Sequence, residues 1–156
     1  MDETLAITDP KRWEDTEFEW SSKYFYTVPL SCWFSKPRKV FEAFQRLRAE
    51  IASKRYTVPD QAIALMEIEK FRGRLLIEIL KIDTYDASVM EMERSKFFST
   101  LHHGPMKTIS QTVKNLREHV FSTKGINPTS TYYWDFRHGP EFKGARADLY
   151  VVLCRV

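Results

Sequence analysis

Glycine is scarce in this chain, with five among 156 residues. No glycine-rich loop of the kind that cradles phosphates is present, and no Gly-x-Ser-x-Gly elbow follows a strand-like run. Nucleotide machinery and the nucleophile elbow of the α/β hydrolases are therefore excluded. Cysteine occurs twice, at Cys32 and Cys154, each inside an apolar run. So placed, they have no metal-ligand spacing and make no disulfide framework, and buried reduced thiols are expected. Nothing in the pattern supports a nucleophilic pair of Cys32 with a histidine. No apolar run approaches the length of a membrane span. The start, Met1-Asp2-Glu3-Thr4, is acidic and lacks the apolar region of a signal peptide. A soluble cytoplasmic protein without a membrane partner is the expectation. Neither sign of charge dominates: 24 basic residues stand against 21 acidic ones. No basic tract is interleaved with aromatics, so no direct nucleic-acid partner is expected. His102 and His103 are adjacent, and neighbours on a strand point to opposite faces. With no third ligand at suitable spacing, neither a metal nor another cofactor is expected.

Aromatic residues, by contrast, are abundant: eleven Phe, seven Tyr and four Trp make up 14% of the chain. Such a surplus either fills a large core or lines a ligand cavity. Residues 1–22 read as a polar N-terminal arm, pinned to the body by Trp13 and Trp20. Residues 24–34 alternate as a strand, with Pro29 making it an edge, bulged or short one. Ser35-Lys36-Pro37 has the form of a helix cap, and Val40, Phe41, Phe44, Leu47 and Ile51 recur on one helical face. A hairpin follows, turning at Phe71-Arg72-Gly73-Arg74. Residues 83–88 link to a second strand-like run from Val89 to Leu101, then Gly104-Pro105. Ile109, Val113, Leu116 and Val120 mark a second helix, stopped at Lys124-Gly125. Two last strands are joined by a loop around His138-Gly139-Pro140 and Lys143-Gly144.

The order strand, helix, strand, strand thus occurs twice. Val40, Phe44, Leu47 and Ile51 fall on Ile109, Val113, Leu116 and Val120 at a constant offset of 69 residues. The same offset carries Cys32 onto Leu101 and Leu65 onto Trp134. The expected fold is an α+β domain over residues 23–156, made of two βαββ repeats, 23–83 and 88–156. A pseudo-twofold axis would relate the repeats. Their antiparallel sheets would carry the helices on one face and a ligand groove on the other.

Several residues are candidates for that groove. Glu78 shares an alternating set with Leu76, Leu80 and Ile82, and a carboxylate on an apolar face is either paired or serves a site. It would anchor a cationic guest, or else sit at the rim in a salt bridge to Arg74 or Lys81. Tyr133 and Asp135 share a strand face and match Ala64 and Met66 of the first copy, an asymmetry that suits a pocket. Tyr133 as a plain core ring is the alternative. Asp148 and Tyr150 share a face of the last strand, where a tyrosine beside a carboxylate can assist proton transfer. Phe25 and Trp33 share a face of the first strand and would supply a flat wall. The alternating carboxylates Glu67, Glu69, Glu91 and Glu93 read as solvated strand edges.

The run Phe98-Ser99-Thr100-Leu101-His102-His103-Gly104-Pro105-Met106, the helix after it, Tyr132-Tyr133-Trp134-Asp135 and Asp148-Leu149-Tyr150-Val151-Val152-Leu153 resemble the GyrI-like small-molecule-binding domain. That family has an apolar strand ending in a basic residue and Gly-Pro, then a helix, a tyrosine-bearing strand and a last strand of acidic, apolar and aromatic character. The resemblance covers roughly residues 22–156 and is best in the second copy; the first departs from it at Ser35-Lys36-Pro37, which lacks Gly-Pro. It implies a multidrug-sensing, effector-binding fold built of SHS2-like repeats. Members bind bulky planar compounds, often cations, in an aromatic groove with an acidic residue, and Tyr133 falls about where that acid stands. Some are fused to DNA-binding regions, others stand alone, and a subset hydrolyse cyclopropane-containing toxins with a glutamate and aromatic partners. The expectation for this chain is a stand-alone bacterial binder of a hydrophobic, aromatic ligand, cations included, in a groove formed by Phe25, Trp33, Met66, Glu78, Tyr133, Asp135 and Tyr150. The alternatives are a hydrolase with Glu78 or Asp135 as general base and Tyr133 or Tyr150 assisting, or a module that binds a protein partner as gyrase inhibitors do.

Overall fold

The computed structural model describes residues 10–128, 130–135 and 149–156. The fold is α+β, an antiparallel sheet carrying two helices. The strands are β1 (Thr16–Trp20), β2 (Lys23–Trp33), β3 (Lys36–Arg38), β4 (Ala64–Ile68), β5 (Arg72–Ile79), β6 (Val89–Met92), β7 (Ser95–His103), β8 (Thr131–Trp134) and β9 (Leu149–Arg155). They lie in the order β1-β7-β9-β8-β4-β5-β2-β3, and β6 pairs with β2 beside β3. The helices are α1 (Val40–Lys54) and α2 (Ile109–Lys124). Among the described residues no helix is long and apolar enough to cross a membrane.

Both faces of the sheet are apolar, because most inner strands carry apolar residues at odd and even positions alike. Tyr26, Val28, Leu30, Cys32, Met66, Ile77, Tyr133, Tyr150, Val152 and Cys154 form one layer with Leu47, Ile51, Leu116 and Val120 of the helices. Phe25, Leu65, Leu76, Phe97, Trp134, Val151 and Leu153 form the other layer. Pro29 sits between the stretches of β2 that pair with β6 (Lys23 to Tyr26) and with β3 (Ser31 to Trp33), so on that side its missing N–H breaks no ladder bond.

The start of α1 differs from the expected capped turn. Ser35 does not cap a helix; the chain makes a tight hairpin, with Trp33 opposite Lys36 and Cys32 opposite Pro37. Phe34 and Ser35 at its tip have φ of 48° and 65°. Two left-handed central residues mark a type I′ turn, the form that matches strand twist. The Ser35 N–H donates to Lys70 O at 2.8 Å, which ties this tip to the β4–β5 turn. A third left-handed residue, Lys39 at φ 53°, then reverses the chain into Val40. Phe41, expected on the buried face of α1, is 61% exposed. The helix end at Gly125 does match expectation: it is left-handed at φ 71° and its N–H returns to Phe121 O at 2.8 Å.

Leu47 and Ile51 of α1, and Leu116 and Val120 of α2 at the 69-residue offset, are all buried. Leu65 pairs with Trp134 where β4 meets β8. The offset does not carry over between β2 and β7, so the strands do not follow the expected twofold. Cys32 faces the helices, whereas Leu101 packs in the opposite layer. These two strands are therefore displaced relative to each other by an odd number of residues.

Candidate functional site

A cavity of ≈ 340 Å³ opens on the helix-bearing face, between the β2–β3 tip and the start of α2. Phe34, Pro37, Met106 and Ile109 are its apolar walls, and Tyr133 reaches it from β8. Ser35, Ser110, Lys36 and Lys107 supply its polar groups. No carboxylate lines it among the described residues.

Each wall is held by local structure. Pro105 is extended (φ −73°, ψ 163°) ahead of a single 3₁₀ turn that leads into α2. Beneath it lies His102, buried within the sheet. A carbonyl only accepts, so His102 Nε2–H donates to Pro105 O at 3.0 Å; in the neutral ring Nδ1 then accepts from the Thr112 hydroxyl at 2.7 Å. The Thr108 hydroxyl also donates to Pro105 O, at 3.0 Å. Gly104, at φ 129°, makes the bend that a side chain would strain. His102 is thus the brace of the turn. His103 is exposed, and among the described residues no three His, Cys, Asp or Glu side chains gather as a metal site.

Tyr133 is 5% exposed, and burial pushes its phenol up to about 12. Its hydroxyl makes no hydrogen bond to a described residue. Tyr133 lines the cavity, so its hydroxyl can bond to a molecule held there.

The other predicted site residues are dispersed. Met66 is fully buried and pairs with Tyr133 across β4 and β8, in the same layer. Tyr150 is fully buried there too, its ring 6.5 Å from that of His102. Asp135 is fully buried just beyond β8. Phe25 is fully buried in the opposite layer. Trp33 is 57% exposed and packs edge-on against Phe34 and Phe71 at the hairpin tips. Glu78 follows Leu76 on the opposite face and is satisfied within the protein. Lys23 Nζ lies at 3.4 Å from its carboxylate, which also accepts the Ile63 N–H at 3.1 Å. Asp148, the loop around His138-Gly139-Pro140 and the pair Lys143-Gly144 lie outside the described residues.

The groove expected opposite the helices is occupied. Trp13, Phe18 and Trp20 lie over that face, with Trp13 centred 5.0 Å from Trp134 and Trp20 centred 5.1 Å from Phe97. β1 is anchored there by pairing with β7, and the Ser99 hydroxyl donates to Trp13 O at 2.8 Å. The physical reason is that an apolar sheet face as long as this one must be covered. Reading single residues missed Phe34, Lys36, Met106 and Ser110. The cavity lies between the Ser35-Lys36-Pro37 hairpin and the Pro105-Met106 turn, each just ahead of a helix.

A second polar cluster ties α1 to the link that follows β5. Asp86 accepts from the Tyr56 hydroxyl at 2.6 Å and from Lys54 Nζ at 2.9 Å, and the Ser88 N–H donates to it at 2.9 Å. These bonds, Tyr56 first, hold its carboxyl at about 2, below the usual carboxylate range. Nearby, the fully buried Tyr26 donates to Glu50 at 2.8 Å.

No family model and no curated protein sequence matches the chain. Solved structures do share its fold. The C-terminal domain of EcmrR aligns with a TM-score of 0.65 at 9% identity, over 90% of this chain and 94% of that domain. In a cryo-EM EcmrR–DNA complex the TM-score is 0.60 at 9% identity, and the aligned region is 55% of that longer chain. A hydrolase from Listeria innocua aligns at 0.54 and 12% identity, over 98% of this chain and 95% of that one. At these identities the likeness is one of fold alone.

Proposed function

We propose that this chain is a small-molecule-binding domain of the GyrI-like, effector-binding kind, whose two half-domains meet at the β4–β8 seam and hold a flat hydrophobic ligand in the cavity between their pre-helix turns. The observation that carries the reading is the Tyr133 hydroxyl. Tyr133 is a buried residue whose hydroxyl lacks a partner among the described residues, and it lines a cavity with apolar walls, within the size range of ligand pockets. A ligand acceptor would satisfy it while its rings cover Phe34, Met106 and Ile109. The hydrolase reading has less support, because Glu78 and Tyr133 lie on opposite faces of the sheet and Glu78 already has protein partners. The test is a titration with a neutral planar dye, phenylnaphthylamine, read by dye fluorescence. Saturable binding at one site, abolished when Ser110→Trp fills the cavity, is expected. Absence of saturation, or binding that survives Ser110→Trp in a folded protein, sinks the reading.

A further inference from the structure

We infer that the ligand of this cavity is an anion: an aromatic body carrying one oxyanion, such as a carboxylate or sulfonate. The inference rests on the reading above and specifies its ligand class. It is carried by the charges at the cavity wall. Among the described residues the ionisable side chains there, apart from the tyrosine, are Lys36 and Lys107. Both are exposed, and neither forms an ion pair among the described residues. No described carboxylate lines the cavity to oppose them.

The backbone adds charge of the same sign. Ile109 and Ser110, the first residues of α2, form part of the wall. The positive end of a helix usually has an acidic side chain in its first turn or a side-chain cap on its free N–H groups. This one has neither, although the preceding 3₁₀ turn takes up the Ile109 N–H: no acidic residue stands in its first turn, and Thr108 at the cap position makes no side-chain cap bond. The Thr108 hydroxyl is instead directed to Pro105 O. The Ile109 N–H is already bonded to Met106 O, so an incoming oxyanion would meet the positive end of the α2 dipole, the Ser110 side chain and two ammonium groups. The Tyr133 hydroxyl, a proton donor until about pH 12, is a further donor for the same group. A cation in the same place would face two like charges and the positive helix end, with no carboxylate from the described wall. The aromatic residues Phe34 and Tyr133 and the apolar Pro37 and Met106 then account for the ligand's ring system.

The experiment compares three planar dyes on the folded protein: neutral phenylnaphthylamine, its anionic relative anilinonaphthalene sulfonate, and cationic thioflavin T. The sulfonate is expected to bind about tenfold or more tightly than the neutral dye, as a charge partly shielded from water would give. In the double variant Lys36→Met, Lys107→Met that advantage should vanish while the neutral dye binds as before. Ser110→Trp should abolish both. The inference is overturned if thioflavin T binds most tightly, if the sulfonate has no advantage, or if its advantage survives the loss of both lysines or the filled cavity. In those outcomes neutral-dye binding that is lost in Ser110→Trp leaves the parent reading intact. If no dye binds, both readings fail together.

Discussion

The two faces of the sheet are made from similar residues and end up differently. One is sealed by rings: Trp13, Phe18 and Trp20 from the N-terminal segment lie on Phe97 and Trp134. The other is covered by two helices, and the cavity opens there beside the start of α2. The difference teaches where the aromatic surplus goes. Trp13, Phe18, Trp20, Phe25, Phe97, Tyr132 and Trp134 close one sheet face, while Phe34 and Tyr133 are the rings among the described residues that line the cavity.

The comparison breaks first if the sealed face is not really core. Trp13 is 3% exposed and centred 5.0 Å from both Phe18 and Trp134. Trp13→Ala is expected to cost about 3–5 kcal/mol, the usual loss for a large buried ring. Urea unfolding followed by circular dichroism measures it. A loss below about 1 kcal/mol would show the segment to be a loose cover rather than a structural layer.

On the helix face the next largest effect lies away from the cavity, where Asp86 joins the end of α1 to the chain after β5. Its depressed folded value, about 2, lies below the ordinary carboxylate value. The stability it contributes is therefore fully present above about pH 4 and is lost as the pH falls toward its folded value. Asp86→Asn is expected to cost about 1–2 kcal/mol at neutral pH, because Tyr56 and Lys54 lose a charged acceptor. The variant should also lose less stability than the parent between neutral and acid pH. Parallel acid losses in the two proteins would remove Asp86 as a source of the pH dependence.

How much of this was legible in the sequence follows from which signals are local. Both helices, the β4–β5 hairpin and the glycine stop at Gly125 were readable, because each rests on periodicity or turn chemistry within a few residues. The hairpin tip at Phe34-Ser35 was not, since neither residue is a usual left-handed former and the turn is stabilised from a distance by the Ser35 N–H bond to Lys70 O. The same non-local logic hid the site. Tyr133 was singled out from its contrast with Ala64, and it does reach the cavity. Glu78 drew attention as a carboxylate on an apolar face, but its partners, Lys23 and the Ile63 N–H, lie 55 and 15 residues away in sequence. Alternation cannot say which face of a sheet stays open, and here the N-terminal segment decides it.

The smallest expected effect sharpens the comparison most, because it sets the hydroxyls of two buried tyrosines on the helix-facing layer against each other. Tyr26 donates to Glu50 at 2.8 Å, whereas the Tyr133 hydroxyl has no partner among the described residues. Tyr26→Phe removes a hydrogen bond to a charged acceptor and is expected to cost about 1 kcal/mol or somewhat more. Tyr133→Phe removes a hydroxyl that no described group uses, and stability should change by less than about 0.5 kcal/mol or even rise. Ligand affinity should reverse the ranking: Tyr133→Phe weakens dye binding, while Tyr26→Phe leaves it unchanged. Equal stability losses in the two variants would mean that Tyr133 has a structural bond after all. Its hydroxyl would then be part of the core rather than a donor kept for a guest.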